Sequence, residues 1–506
     1  MKETKHDEAQ SGTASDEGVA RKYCGSCHAF PAPALLDKTT WVNDVLPAMG
    51  HRFGLYPDRK RASLIEKGMA GKIVEQLNIF PAEPTITEGE WARIISFYEK
   101  QAPDSLILPL DPSSPITSSP FEVVVPRFNI ERPAVSAITY DVHSSKLYVA
   151  DCSRENSSSV TILDSSFKPL TSLGLPFPVS NLTLLRDTLY ILMMGHFVPS
   201  DEPAGQLIKA VKNKSGDYKG YQVVIKGLRR PVDVAYADVD DDGDEDILVC
   251  EFGNHTGSAS LFIKEGKQYK KKVLMDLPGA IKVIVEDLNN DSRKDLIVLM
   301  AQGDEGVDLY YNEGNGQFKR ERVLQFPPVY GSVSISLTDF NGDGFKDLVY
   351  VNGDNADASR IVKPYHGIRV FLNDQHQHFN ESFFYFFPGA YKAIAYDFDG
   401  DHDTDLAAIS FFPDFNQRAI KSFVYLENIS EEGHLEFIPS TLRNTETGRW
   451  ITMIDADINQ DGRMDLLLGS FTSVDIPGDS LGLLKKSFQK DALPLMLLVN
   501  RANKKK

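Results

Sequence analysis

Cysteine is scarce in this chain of 506 residues: four occur, two of them inside one five-residue motif, so a disulfide-stapled scaffold is excluded. No run of about 18 apolar residues exists, which removes a helix able to span a bilayer. The first twenty residues are polar and lack the apolar stretch of a secretion signal, so they read as a flexible leader. Basic residues are outnumbered, with 54 Lys and Arg against 71 Asp and Glu, for a net charge of −17. So acidic a chain repels phosphate backbones, and nucleic acid is not an expected partner. Hydrophobic residues make up 42%, too many for wholesale disorder, and the length calls for two or more domains or a repeat array.

Cys152 and Cys250 sit among apolar, strand-like residues and read as buried free thiols. Cys24 and Cys27 belong to Cys24-Gly25-Ser26-Cys27-His28, a C-x-x-C-H. Two thiols at this spacing can reach the two vinyl groups of one porphyrin while the adjacent imidazole meets the iron. They are candidates for covalent attachment of one haem c, with His28 as proximal ligand. Zinc would need two more ligands nearby, and a redox dithiol belongs in a βαβ pattern; the helical, Pro-rich surroundings offer neither. Candidate sixth ligands are Met49, Met69 and His51. Met49 is preferred, because it follows Pro47 at the end of a short helix, whereas Met69 lies in an amphipathic stretch where Met fills core. Thr87-Glu88-Gly89-Glu90 has the capping-box form and opens a closing helix with Trp91, Ile94, Ile95 and Tyr98 at helical spacing. A small all-α unit is expected over 21–105, then a Pro- and Ser-rich linker over 106–119.

From residue 120 onward the chain repeats, and the repeat consumes the acid. Five segments match D-x-[DN]-x-D-x-x-x-D before an apolar strand. They are Asp238, Asp240, Asp242 and Asp246; Asp287, Asn289, Asp291 and Asp295; Asp339, Asn341, Asp343 and Asp347; Asp397, Asp399, Asp401 and Asp405; and Asp457, Asn459, Asp461 and Asp465. Oxygens at positions 1, 3 and 5, a backbone carbonyl at 7 and a carboxylate at 9 form the ligand set of a calcium loop, so up to five Ca²⁺ are expected. Gly243, Gly344 and Gly462 occupy position 6, where a left-handed turn is needed; Ser292 and His402 stand there in the other loops, which weakens those two sites. The plainer alternative is a set of solvated acidic turns, opposed by the mutual repulsion of clustered carboxylates.

The motifs recur every 50 to 60 residues, roughly, which divides the remaining chain into about seven units. Two earlier units without metal loops fit Pro133–Asp141 with Lys146–Ala150, and Pro178–Leu185 with Leu189–Met193. Each unit reads as strand A, acidic loop, strand B, then C and D, without helices. The expected fold is multidomain: a small all-α cytochrome c domain followed, over 120–500, by an all-β seven-bladed propeller, with a basic tail at 501–506. Phe121–Val125 resembles a D strand lacking its own blade and is expected to complete the last one, so that no sheet edge is left open.

The five loops and the strands after them resemble the FG-GAP/VCBS repeats of integrin-α-like propellers, and 21–105 resembles a bacterial class I c-type cytochrome domain. Together they resemble bacterial exported fusions of a monohaem cytochrome with such a propeller. The resemblance implies calcium between strands A and B on one face of the disc. The opposite face then carries the B–C and D–A loops and is the candidate ligand face, through Asp354, Asn355, Asp357, Lys363 and His366, then Phe412, Asp414 and Arg418, then 473–489. The expected function is electron transfer, with the propeller holding a redox partner protein or a glycan. The alternative is an oxidoreductase whose substrate site on that face passes electrons to the haem, although no catalytic signature is present. Haem attachment places the protein in the periplasm or on the cell surface, with membrane contact only through a lipoprotein anchor outside this sequence.

Overall fold

A computed structural model describes residues 15–110, 119–153, 157–214, 218, 220–356, 359–416, 420–431 and 434–502. The leader as far as residue 14, and 111–118 of the linker, lie outside the described residues. Seven four-stranded antiparallel sheets follow one another in chain order. In blade 1 the strands are Val135–Asp141, Lys146–Asp151, Ser158–Leu163 and Pro169–Leu175. Strand A of blades 2 to 7 is Val179–Leu185, Pro231–Ala237, Ala280–Glu286, Ser332–Thr338, Ala390–Tyr396 and Trp450–Ala456.

Strand B explains why the sequence reads as short unbroken apolar runs. Asp295–Met300, Asp347–Asn352 and Asp405–Ser410 are buried at every residue, because strand B sits between two strands of its own sheet and two neighbouring blades. Strand D faces solvent and is accordingly polar, as in Gln317–Gln325. The last blade joins Trp450–Ala456, Asp465–Ser470 and Leu495–Asn500 to Phe121–Val124, with Phe121 opposite Asn500 and Val124 opposite Leu497. The ring therefore closes as the unpaired strand in the sequence implies. One helix, α6 (Leu483–Asp491), interrupts the B–C connection of blade 7, which the strand-only repeat does not suggest; its Phe488 meets Phe415 of the neighbouring blade edge-on, ring centroids 6.0 Å apart.

Before the propeller lie α1 (Asp16–Cys24), α2 (Lys38–Thr40), α3 (Leu46–Arg52), α4 (Gly68–Gln76) and α5 (Glu88–Gln101). Ser15 caps α1 by accepting from Gly18 N at 3.1 Å, and Val19 and Ala20 are buried against α5. The folded region therefore starts within the stretch read as leader, because a cap and one apolar pair suffice where a partner helix supplies the rest. The Thr87 capping box is complete, with both reciprocal bonds to Glu90. Trp41–Val45 forms a π-helical turn that joins α2 to α3, so Pro47 lies in the first turn of α3 and Met49 in its middle rather than at the end of a helix. No helix among the described residues is long and apolar enough to cross a membrane.

The helical region docks on the propeller face that carries the B–C and D–A connections. Tyr365 Oη donates to Leu35 O at 3.1 Å, and Val329 and Tyr365 join the core built by Trp41, Leu46, Ile94 and Tyr98. On the other side, Ser200 Oγ and Asp201 N donate to the Glu66 carboxylate at 2.6 and 3.0 Å, and Ala70 N donates to Glu202 at 3.1 Å. These contacts run from blade 2 to blade 5.

Phe121 is buried among Phe398, Phe423 and Tyr425, with ring centroids 5.1, 6.3 and 5.8 Å away. Phe121→Ala is expected to lower the stability of the propeller by about 3 to 5 kcal/mol in urea unfolding; a loss under about 1 kcal/mol would show that closure does not depend on this anchor.

Candidate functional site

The five acidic loops share one backbone frame. The first Asp accepts from the backbone of positions 5 and 6: Gly243 N reaches Asp238 at 2.9 Å, Ser292 N reaches Asp287 at 2.8 Å, and Gly462 N reaches Asp457 at 2.9 Å. The ninth Asp begins strand B, is buried, and accepts from position 2 of its loop and from the end of strand C. For Asp295 these donors are Leu288 N at 3.1 Å and Asn312 N at 2.7 Å; for Asp465 they are Ile458 N at 3.1 Å and Asn500 N at 2.9 Å. Ser292 and His402 adopt positive φ of 68° and 81°, beside 85° for Gly243, so their side chains do not prevent the turn.

The loops differ in what their carboxylates do next. In blades 3 and 6, positions 1, 3 and 9 are all Asp, and one oxygen from each of Asp238, Asp240 and Asp246, and from each of Asp397, Asp399 and Asp405, lies within 4.8 Å of the others. Oδ1 of Asp240 and Oδ1 of Asp403 are buried without a hydrogen-bond partner. Burial, reinforced by Asp401, pushes the Asp403 carboxyl up to about 7, and burial pushes Asp405 up to about 6. An all-oxygen donor set with orphaned carboxylate oxygens fits a hard divalent cation. Asp403 was not among the sequence candidates, because position 7 contributes its backbone carbonyl in the loop pattern.

In blades 4, 5 and 7 position 3 is Asn. Asn289 and Asn341 each donate to the position 5 carboxylate at 3.2 Å, and Asp291 also pairs with Arg293 at 2.6 Å. Asn459 Oδ1 accepts from Asp461 N at 2.9 Å, and Arg463 pairs with Asp461. These loops offset part of their own charge. The His402 loop, doubtful from its sixth residue, is thus one of the two with converging carboxylates.

At the other candidate centre, Cys24 ends α1 and Gly25 caps it. Cys24 is half-buried and its thiol is pushed up to about 11 by burial, close to Tyr98 of α5; Cys27 is exposed. His28 Nδ1 lies 2.9 Å from Ala29 O. A carbonyl only accepts, so Nδ1 is the donor and, in the neutral imidazole, Nε2 is the atom left with a lone pair. Met49 is half-buried on α3, Met69 is 53% exposed on α4, and buried His51 is bonded through Nε2 to Asp58 at 2.7 Å. Cys152 and Cys250 are free thiols, and Cys152 Sγ lies 3.2 Å from Ser136 Oγ.

The candidate ligand face requires correction. Asn355, Lys363 and His366 are buried at 4%, 0% and 1% exposure, in a loop whose Ile361 and Tyr365 pack against the helical core. Lys363 Nζ donates to Asn355 Oδ1 at 3.0 Å, and Asn355 Nδ2 donates to Ile361 O at 2.7 Å. These residues hold a loop rather than offer a surface. Asp354 is half-buried, Phe412 is buried, and half-buried Asp414 caps its own turn through Asn416 N at 3.0 Å. Asp357 and Arg418 lie outside the described residues.

Residue types at the docking interface were invisible to motif reading. Arg52 Nη2 donates to His255 Nδ1 at 2.9 Å, and Phe80 meets the His255 ring edge-on at 4.9 Å. Buried Asp201 accepts from His255 N and from Thr256 N and Oγ1 at 2.7 to 2.9 Å.

A family model for the FG-GAP-like repeat matches residues 287–350, from the acidic loop of blade 4 into strand B of blade 5. No curated protein matches the chain. Among solved structures it is similar to a protein from Lactobacillus plantarum, with 11% identity and a TM-score of 0.41 over 61% of this chain and 85% of that one. It is also similar to Sqt1 of Saccharomyces cerevisiae, with 11% identity and a TM-score of 0.41 over 75% of this chain and 99% of that one. The chain is a seven-bladed β-propeller with an FG-GAP-like repeat, preceded by a helical region, and this architecture suggests a binding or scaffolding role.

Burial, and then Arg52, lower the His255 imidazole from 6.5 to about 4. Below pH 6.5 the unfolded histidine takes up a proton that the docked one refuses, so stability is expected to be full above that pH and to fall as pH drops toward 4. Melting temperature against pH should show this slope, and His255→Gln should flatten it; an unchanged slope would place the acid sensitivity elsewhere.

Proposed function

We propose that this is an exported electron-transfer protein in which Cys24 and Cys27 carry one haem c through thioether bonds and His28 is the proximal ligand. The propeller serves as a calcium-stapled scaffold that holds a redox partner protein or a glycan. A haem bound in this way supplies single-electron transfer. The observation that carries the reading is a C-x-x-C-H at the end of α1 whose histidine has Nδ1 spent on Ala29 O, 2.9 Å away, leaving Nε2 as a ligand atom. Cys24 is anchored against the core that α1 and α5 share, while Cys27 is open to approach.

Met49 is the sixth ligand best supported. His51 is held by Asp58, and Met69 projects into solvent from α4. Calcium belongs first to the loops of blades 3 and 6, where a divalent charge offsets three converging carboxylates; the Asn-bearing loops take it more weakly. Haem c is attached outside the bacterial cytoplasm, where calcium also fills weak sites, which supports the periplasm or the cell surface.

Made with a haem-maturation system, the protein is expected to keep its pigment through acid–acetone extraction, and extractable pigment would remove the thioether assignment. Met49→Ala should abolish the charge-transfer band of a Met-ligated ferric haem; a surviving band transfers the ligand to Met69. In calcium titration calorimetry of the full chain, Asp399→Asn should weaken one of the two tightest sites about tenfold, and an unaltered isotherm would leave that loop a self-satisfied turn.

A further inference from the structure

The innermost strands form a closed ring around the propeller axis, each touching the corresponding strand of the next blade. Each carries a bulge after its first residue, and in every blade the fourth residue is buried while the fifth is half-buried. With side chains alternating along a strand, the fourth position faces the core and the third and fifth face the axis. The fifth position holds no charged residue in any blade. The third holds Asn181, Asp233, Lys282, Ser334, Lys392 and Thr452, with Ala137 in blade 1.

This polar ring is unbalanced. Asp233 is buried and satisfied, accepting from Asn181 Nδ2 at 3.1 Å and Val283 N at 3.1 Å and pairing with Lys282 Nζ at 3.0 Å. Lys392 has no ion pair or hydrogen bond among the described contacts. It is half-buried, with Ser334 and Thr452 at the equivalent positions of the adjacent strands, and its amine is pushed down to about 8 by burial and by repulsion from Lys282, with Asp455 and Asp233 opposing that shift. Two arginines immediately precede innermost strands, those of blades 7 and 3. Arg449 is 1% exposed with Nε and Nη2 unpartnered, and it lies 4.4 Å over Phe411, whose ring meets Tyr391 of the innermost strand at 5.4 Å. Arg230, whose Nε is also unpartnered, immediately precedes strand A of blade 3.

We propose that the ring of third-position side chains on the innermost strands binds a small oxyanion, a carboxylate or a phosphate, with Lys392 as its principal contact and Ser334 and Thr452 as neighbouring hydroxyl donors. An anion there supplies the direct ion pair that Lys392 lacks, while Lys282 remains committed to Asp233.

Acetylation of Lys392 in the full chain, followed by mass spectrometry with and without inorganic phosphate or succinate, tests this directly. Saturating anion is expected to slow acetylation of Lys392 about tenfold, phosphate protection assigning a phosphoryl group and succinate protection a carboxylate. Protection of Lys392 by neither would overturn the proposal. Lys392→Met should melt at least as high as the parent without anion, because it removes a buried repulsion, and should lose the rise in melting temperature that the anion gives the parent. Retention of that rise would reveal a general salt effect and would also overturn the proposal.

Discussion

Ring closure is the constraint on which the rest of the molecule depends. Phe121–Val124 pairs with Leu495–Asn500, a strand buried at every residue. Without that pairing the last blade would present an apolar strand edge to solvent, and blade 7 would be held less firmly against blade 1. The closed ring defines an axis and two unlike faces, one formed by A–B loops and the other by B–C and D–A connections. The helical region then rests across the second face, where it finds Tyr365 on one side and Ser200 to Glu202 on the other.

Within each blade that carries an acidic loop, a single buried carboxylate performs the local version of this task. The Asp that opens strand B ties its loop to the end of strand C, and Asn312 and Asn500 extend the tie by donating to Val239 O and Phe398 O of the preceding blade at 2.9 and 2.7 Å. The loop frame is therefore hydrogen-bonded throughout, and a cation would add to it rather than create it. That is why loops with Asn and with Asp at position 3 share one backbone shape and differ in charge.

Much of this was legible in the sequence because seven blades solve the same packing problem seven times. The strand order, the bare first two blades and the closing strand all follow from spacing and from runs of apolar residues. What was missed depends on partners remote in sequence. Residues 15–20 look polar until α5 covers Val19 and Ala20. Lys363 and His366 look like surface chemistry until their loop folds inward and buries them. Arg52 and His255 carry no motif at all. Lys282 and Lys392 are plain strand residues until the bulge in strand A turns the third position toward the axis.

The pairing of an early strand with the last one also sets a schedule. Translation delivers Phe121–Val124 some 370 residues before its partner Leu495–Asn500. The helical region can condense on its own local contacts while a growing stack of blades still ends in raw edges, so the unfinished ring is the species most exposed to mispairing and proteolysis. Passage of such a chain through any cellular machinery that keeps it unfolded would postpone assembly to a single late event, and repulsion between the acidic turns, which grows as they approach, would help to keep premature blades apart.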